Sequence, residues 1–539
     1  MSFLNKLFSR APAAQAAMPL EALLRANCGL HRLFPDQHER LLQLGGLLYD
    51  KRDQTGAELV LEEAIKRGAE PWKAAVIRTK RALMDHDPAR GLRALEGFLE
   101  KPAHPELLLL AGTCHWELGQ MPMAARQYEA GIAMDGRNID MLGSLCGAYG
   151  IIGQYENSYR IAKRALKIDP RHVPTLQNLG IAARELNLLD EQRDTYERLC
   201  DYYPDNERFK CLLGFALLME ENFEQGWLMH ENRDFRFREQ NFRESTLSRQ
   251  RWKGESLQGK TLLVVCEQGS GDNFMVARWF PELKRLGARV VVECAPYLMA
   301  ILARVPGVDQ VIELVNDREP DLHYDLWVAS MSLPYVFKVT RENILAPARY
   351  LEPGAATAQY WRDLAKDIRE LKVGLAWAGN PGHASDASRS MKFADIDPLF
   401  DLPGIRFFNL QVPARDLLPR ANLVSHTDEL VTFDDTAGLI DQMDLVISVD
   451  TSIAHLAAAL GKPTWIVTSF RPEWRWGRPD LPVIWYPTAR IYRCASPLNW
   501  KSAMINVARD LGAVVAGAPA VAPSAVPTST AAIGAAHAV

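Results

Sequence analysis

Two stretches of this sequence concentrate residue types that hold anions. In "VVCEQGSGDNFMVARWFPEL" (264–283), an apolar β-branched run ends at Cys266, a loop carries Gly269 and Gly271, and Asp272 opens an amphipathic segment. A strand, a glycine loop and a helix start, in that order, present backbone N–H groups at the carboxyl edge of a sheet. The loop is not G-x-G-x-x-G, because Phe274 stands where the third glycine would be. That departure weighs against a nicotinamide dinucleotide. Asp272 also reads as a plain helix cap, a position where Asp is among the best residues.

The second stretch is "DLVISVDTSIAHLAAALGKPTWIV" (444–467). An apolar strand runs into Asp450-Thr451-Ser452, and a helix then carries His455 one turn beyond Thr451. Hydroxyls and amides at Thr451 and Ser452 suit a phosphate at a helix N-terminus. The alternative is that Asp450 or Thr451 only caps the helix and His455 packs in the core. Trp377, Trp474 and Trp476 offer flat faces for a base or sugar, with plain packing as the alternative reading.

The elements that must position these residues fall into two kinds. Up to about residue 240 the chain repeats at 34 residues, the period of paired helices. Gly112, Cys146, Gly180 and Gly214 fall in register, and Gly119 matches Gly153 at the turn. Asp135-Gly136, Asp169-Pro170 and Pro204 close successive second helices. The segments 39–68 and 207–240 read as looser pairs, and the Arg- and aromatic-rich run after Trp227 reads as a connector.

From Thr261 short β-branched runs alternate with amphipathic stretches. Strands are predicted at 261–266, 288–295, 308–314 and 325–333, then, after a helix at 356–370, at 372–379, 405–411, 444–450 and 464–469. The fold class is therefore α superhelical repeats followed by α/β with two Rossmann-like lobes. The boundaries are a flexible N-terminus over 1–18, the repeat array over 19–240, a first lobe over 241–355, a second over 356–510 and a disordered Ala/Pro-rich tail over 511–539.

Composition excludes some classes. In 539 residues the formal net charge is -4, with 48% hydrophobic and 24% charged residues, so bulk attraction to nucleic acid is not expected. The eight cysteines form no C-x-x-C pair or zinc-spaced run, which reads as reduced structural thiols. No stretch approaches the roughly 20 apolar residues of a membrane span, and Met1–Met18 is a poor secretory signal. A cytoplasmic location without integral membrane association is expected.

The array resembles the tetratricopeptide repeat family, best over 105–206. The Asp450–His455 segment resembles the sugar-nucleotide motif of the bacterial heptosyltransferases, D-T-(G/S)-x-x-H-L followed by A-x-G-x-P, and "GSGD" resembles that family's Gly–Asp loop. "LAWAGNP" (375–381), "RSMKF" (389–393) and "RPEWRWGRPDLPVIWYP" (471–487) resemble a subgroup in which tetratricopeptide repeats precede such a module. The resemblance implies a GT-B glycosyltransferase, metal-independent and inverting, with the acceptor on the first lobe and the donor mainly on the second. No cofactor is implied beyond the nucleotide sugar, which is a substrate.

It further implies Asp272 as catalytic base, with a basic residue after the first strand of the second lobe. Arg389 and Lys392 are both eligible and Arg389 is favoured. Gly269, Gly271, Asp450, Thr451, Ser452 and His455 would then surround the nucleotide sugar. In the subgroup, protein acceptors such as flagellin are one destination, which fits a repeat groove that binds peptides. Transfer to lipopolysaccharide or another glycolipid, and a non-catalytic binding scaffold, stand as the alternatives.

Overall fold

Small residues recur every 34 positions because paired helices touch there. In the computed structural model a Cβ on Gly112 would lie 2.3 Å from the buried Tyr128 ring of the partner helix. The Cys146 thiol donates to the Ser158 carbonyl at 3.1 Å, and a Cβ on Gly214 would meet the His230 backbone at 2.8 Å. Gly119 and Gly153 turn the chain at φ 72° and 78°, a region side chains disfavour.

The structure describes residues 37–99, 104–234, 247–315, 318–382, 386–413, 416–471, 473–477 and 483–520. The expected flexible N-terminus, Cys28 and the tail beyond 520 lie outside them. The helical region runs as α1 (Gln37–Asp50), α2 (Gln54–Lys66), α3 (Pro71–Met84), α4 (Pro88–Leu95), α5 (Pro105–Glu117), α6 (Met121–Met134), α7 (Ile139–Ile151), α8 (Tyr155–Leu166), α9 (Val173–Glu185), α10 (Leu189–Tyr202), α11 (Glu207–Met219) and α12 (Phe223–His230). Several begin at Pro in their first turn, where the missing N–H costs nothing. Residues 39–68 and the start of 207–240 form the helix pairs their patterns predicted.

The chain divides into two compact units, Met1–Ala182 and Ala183–Val539. In the first, the core runs between successive helices, with Leu109, Tyr128, Met141 and Leu145 at its centre. In the second, α11 and α12 pack against the α/β part. Trp227 is 1% exposed, its indole N–H donates to the Val339 carbonyl at 3.1 Å, and its ring meets Trp474 edge-on at 5.4 Å.

Every strand pair of the α/β part is parallel. The first sheet, in the order β1-β5-β2-β3-β4, uses β1 (Gln250–Arg251), β2 (Thr261–Val265), β3 (Arg289–Cys294), β4 (Gln310–Glu313) and β5 (Leu326–Ala329). The second, ordered β11-β10-β9-β6-β7-β8, uses β6 (Leu371–Ala376), β7 (Ile405–Asn409), β8 (Leu423–Ser425), β9 (Leu445–Val449), β10 (Thr464–Thr468) and β11 (Ala489–Arg493). The inner strands β2, β3, β5, β6, β7, β9 and β10 are mostly buried and read as near-continuous apolar runs.

Several elements depart from the sequence reading. The strand expected over 325–333 stops at Ala329, and Ser330–Ser332 form a 3-10 turn leading into a short helix that has Pro334 in its first turn. β1, β8 and β11 were not expected; all three are edge strands, half-exposed instead of apolar runs. The C-terminal helix reaches Val515 with Leu511 fully buried, carrying it past the point where composition sets the start of the tail. The seven described cysteines form no disulfide. No helix among the described residues is long and apolar enough to cross a membrane.

Candidate functional site

In each sheet the chain reverses its direction of travel once. β3 and β4 add to one side of β2, then β5 adds to the other. β7 and β8 add to one side of β6, then β9 adds to the other. Open parallel sheets bind ligands at the carboxyl ends of strands flanking such a switch. After β2, Gly269 ends the loop and Gly271 and Asp272 stand in the first turn of the next helix; after β6, Arg389 ends the short helix Asp386–Arg389, and after β9, Asp450 and Thr451 lead into the helix that Ser452 begins. Both anion-type motifs therefore stand at switch points.

They also meet. The helix α13 (Ser270–Val276) packs on α14 (Ser452–Ala459). A Cβ on Gly271 would lie 2.6 Å from His455 Cδ2, so glycine is what lets the two helix starts approach. His455 is 4% exposed, shares a 2.9 Å hydrogen bond between Nδ1 and the Tyr486 hydroxyl, and lies 4.6 Å from the Trp476 ring. Burial, then the charges of Arg475 and Arg278, hold its pKa well below the usual value. His455 is thus a neutral packing residue between the helices.

Asp272 caps its own loop, accepting from the Gly269 N–H at 3.0 Å through Oδ2. Its Oδ1 accepts from Arg475, whose Nε lies 2.8 Å away and whose Nη2 adds a second bond. Arg475 also pairs with Glu473 and sits 4.2 Å from the Trp474 ring centroid. Burial disfavours its charge, but Asp272, Glu473 and Asp450 outweigh that and raise its pKa. Glu473 is pushed up to about 7, by burial first and, against the pull of Arg475, by Asp450 and Asp272. One guanidinium thus stands among three carboxylates. Sequence reasoning noted the Trp/Arg stretch only by position. Nothing local announces that residue 475 reaches residue 272.

The second motif is built from the second sheet. Thr451 starts α14 with extended backbone and no side chain caps the helix. Its hydroxyl lies 3.1 Å from that of Ser448. Across the switch, Ser390 accepts from the Gly379 N–H at 2.9 Å, and the Met391 N–H donates to the Trp377 carbonyl at 2.8 Å, which folds 386–391 back over the end of β6. Arg389 lies against Gly379, where a Cβ would come within 2.8 Å of its guanidinium, and its buried Nε has no hydrogen-bond partner among the described residues. Lys392 is exposed and its N–H takes part in a cap with Asp395 at 2.8 Å. Trp377, Trp474 and Trp476 are 1%, 5% and 1% exposed: they pack, and offer no open stacking face.

Comparison with known proteins finds a family match around the second motif. Residues 420–472 match the glycosyltransferase family 9 (heptosyltransferase) model, a span that includes Asp450 to His455 and stops short of Glu473. Protein FlbA of Caulobacter vibrioides is 27% identical over 286 residues, 48% of this chain and 48% of the relative's own length. Among solved structures, E. coli ADP-heptose LPS heptosyltransferase II is 14% identical, covering 48% of this chain and 98% of its own, with a TM-score of 0.37. MamA of Desulfovibrio magneticus is 17% identical, covering 32% and 95%, with a TM-score of 0.29. Residues 420–472 thus resemble glycosyltransferase family 9, and the chain spans about half the length of the FlbA relative it matches.

Proposed function

We propose that the protein transfers a sugar from a nucleotide-sugar donor to a protein acceptor bound by its helical repeats. The observation that carries this reading is the packing of α13, which bears Asp272, on α14, with Gly271 against His455. Asp272 takes the proton of the acceptor hydroxyl as that oxygen bonds to the anomeric carbon. The bond from that carbon to the donor phosphate breaks, and its electron pair leaves with the phosphate. The uncapped first turn of α14, the Thr451 and Ser452 hydroxyls and Arg389 stabilise that charge. Attack from the side opposite the leaving group inverts the anomeric centre.

Oδ1 of Asp272 accepts two bonds from Arg475 and Oδ2 accepts the Gly269 N–H, which orients the carboxylate and leaves a lone pair on Oδ2 for the hydroxyl. A peptide acceptor is supported by the groove that paired-helix arrays offer to extended segments. The donor site is tested by calorimetric titration with a panel of ADP-, UDP-, GDP- and CMP-sugars. The sugar that binds wild type should lose roughly tenfold or more affinity with T451A/S452A and with Arg389→Met, at about 1.4 kcal/mol per decade. Lys392→Met should bind as wild type. Unchanged binding in both of the first two variants rejects the site.

A further inference from the structure

The loop that bears Asp272 is held from below by a side chain of the helical segment. Glu267 stands two residues beyond the end of β2, and its carboxylate is fully buried. Arg233, in the 3-10 turn that ends α12, is 1% exposed and grips that carboxylate with two donors, Nε at 3.1 Å and Nη2. The same Nη2 donates to Ser332 at 2.7 Å, and Nη1 donates to Glu231 at 2.7 Å. The Met331 N–H donates to Glu267 Oε1 at 3.1 Å. Three chain segments thus converge beneath the switch point of the first sheet.

From Glu267 the constraint continues to the reaction site. Gln268 takes a left-handed φ of 60°, a conformation a non-glycine residue keeps only when its surroundings hold it. Asn273 donates to the carbonyls of Glu267 and Gly269, each at 3.0 Å, and accepts from Ser330 at 2.9 Å. Asp272 lies between these anchors. A buried carboxylate without its partner is strongly unfavourable, so the loop's shape depends on Arg233.

We propose that Arg233 is a positioning residue for Asp272, making the last helical pair a working part of the transferase site. The proposal rests on Asp272 being the base. In Arg233→Lys the charge remains but the two-pronged grip is lost. In R233M/E267M both partners become apolar, a change that is often near neutral for stability.

The test measures nucleotide release from the panel sugar that wild type turns over fastest, together with thermal melting and amide exchange over 267–273. Arg233→Lys and R233M/E267M should each lower kcat about 100-fold, the cost of a misplacement near 1 Å, with donor KM within about twofold. Amide exchange at Gly269 to Asn273 should rise roughly tenfold in Arg233→Lys. Full turnover and unchanged exchange in Arg233→Lys overturn the proposal even if the double variant fails to fold. Asp272→Asn is assayed alongside: if it alone keeps full turnover, the base assignment fails; if it collapses while both Arg233 variants stay fast, the positioning role fails.

Discussion

Gly271→Ala tests the contact on which the site depends. The added methyl would lie 2.6 Å from His455 Cδ2, 3.3 Å from Cγ and 3.4 Å from Nε2. The ring cannot simply turn aside, since Tyr486 holds Nδ1 and Trp476 lies 4.6 Å away. Overpacking of this kind costs about 1–3 kcal/mol, against a gain of about 0.5–1 kcal/mol for replacing glycine in a helix. The net loss is about 1 kcal/mol. For a unit of this length, at about 2.1 cal/mol/K per residue, that lowers Tm by only about 1–2 °C. Urea unfolding followed by tryptophan fluorescence is therefore the better assay. The sharper readout is a cycle with His455→Ala, which vacates the space the methyl needs. G271A/H455A should show a favourable coupling of about 1 kcal/mol or more. Additivity within about 0.5 kcal/mol would refute the packing argument. A G271A variant that loses donor affinity without losing stability would instead give Gly271 the backbone role expected from its loop.

Two further outcomes follow from the buried charges. Glu473 titrates near 7 in the fold against an ordinary 4.5. Its contribution to stability is thus fully present below about pH 4.5 and is lost as pH rises through 7. Glu473→Gln should therefore gain Tm relative to wild type between pH 5 and 8, and a constant difference across that range would contradict the shift. A chain beginning at Arg251 lacks Arg233 and Trp227, leaving Glu267 buried without its partner. It should unfold at lower urea than one beginning at Ala183, as chemical melts of the two would show, and equal midpoints would contradict the role assigned to the last helical pair.

Much of the architecture was legible because it rests on local pattern. β2, β3, β6, β9 and β10 lie within one to three residues of their predicted ends, since apolar β-branched runs have few other uses. Strand order was not legible, so the two motifs could be placed at strand ends but not at switch points. Edge strands escaped because "ARIYR" alternates like an exposed segment. The site was half visible. Asp272, Thr451 and Arg389 stand out by type and context, whereas Arg475 and Arg233 act across distances in sequence that no local motif spans. For His455, whose motif suggested a ligand role, the fold adds buried contacts with Gly271, Tyr486 and Trp476 that the motif did not announce.

In the proposed reaction Asp272 removes the acceptor proton beside a donor held on the second sheet. The direct measurement pairs calorimetric donor affinity with the rate of sugar transfer for Asp272→Asn. Asn keeps the shape of the side chain and can still accept from Gly269, so donor Kd should stay within about threefold while transfer falls by about 10²–10⁴. Transfer at the wild-type rate would reduce Asp272 to a helix cap and contradict the account.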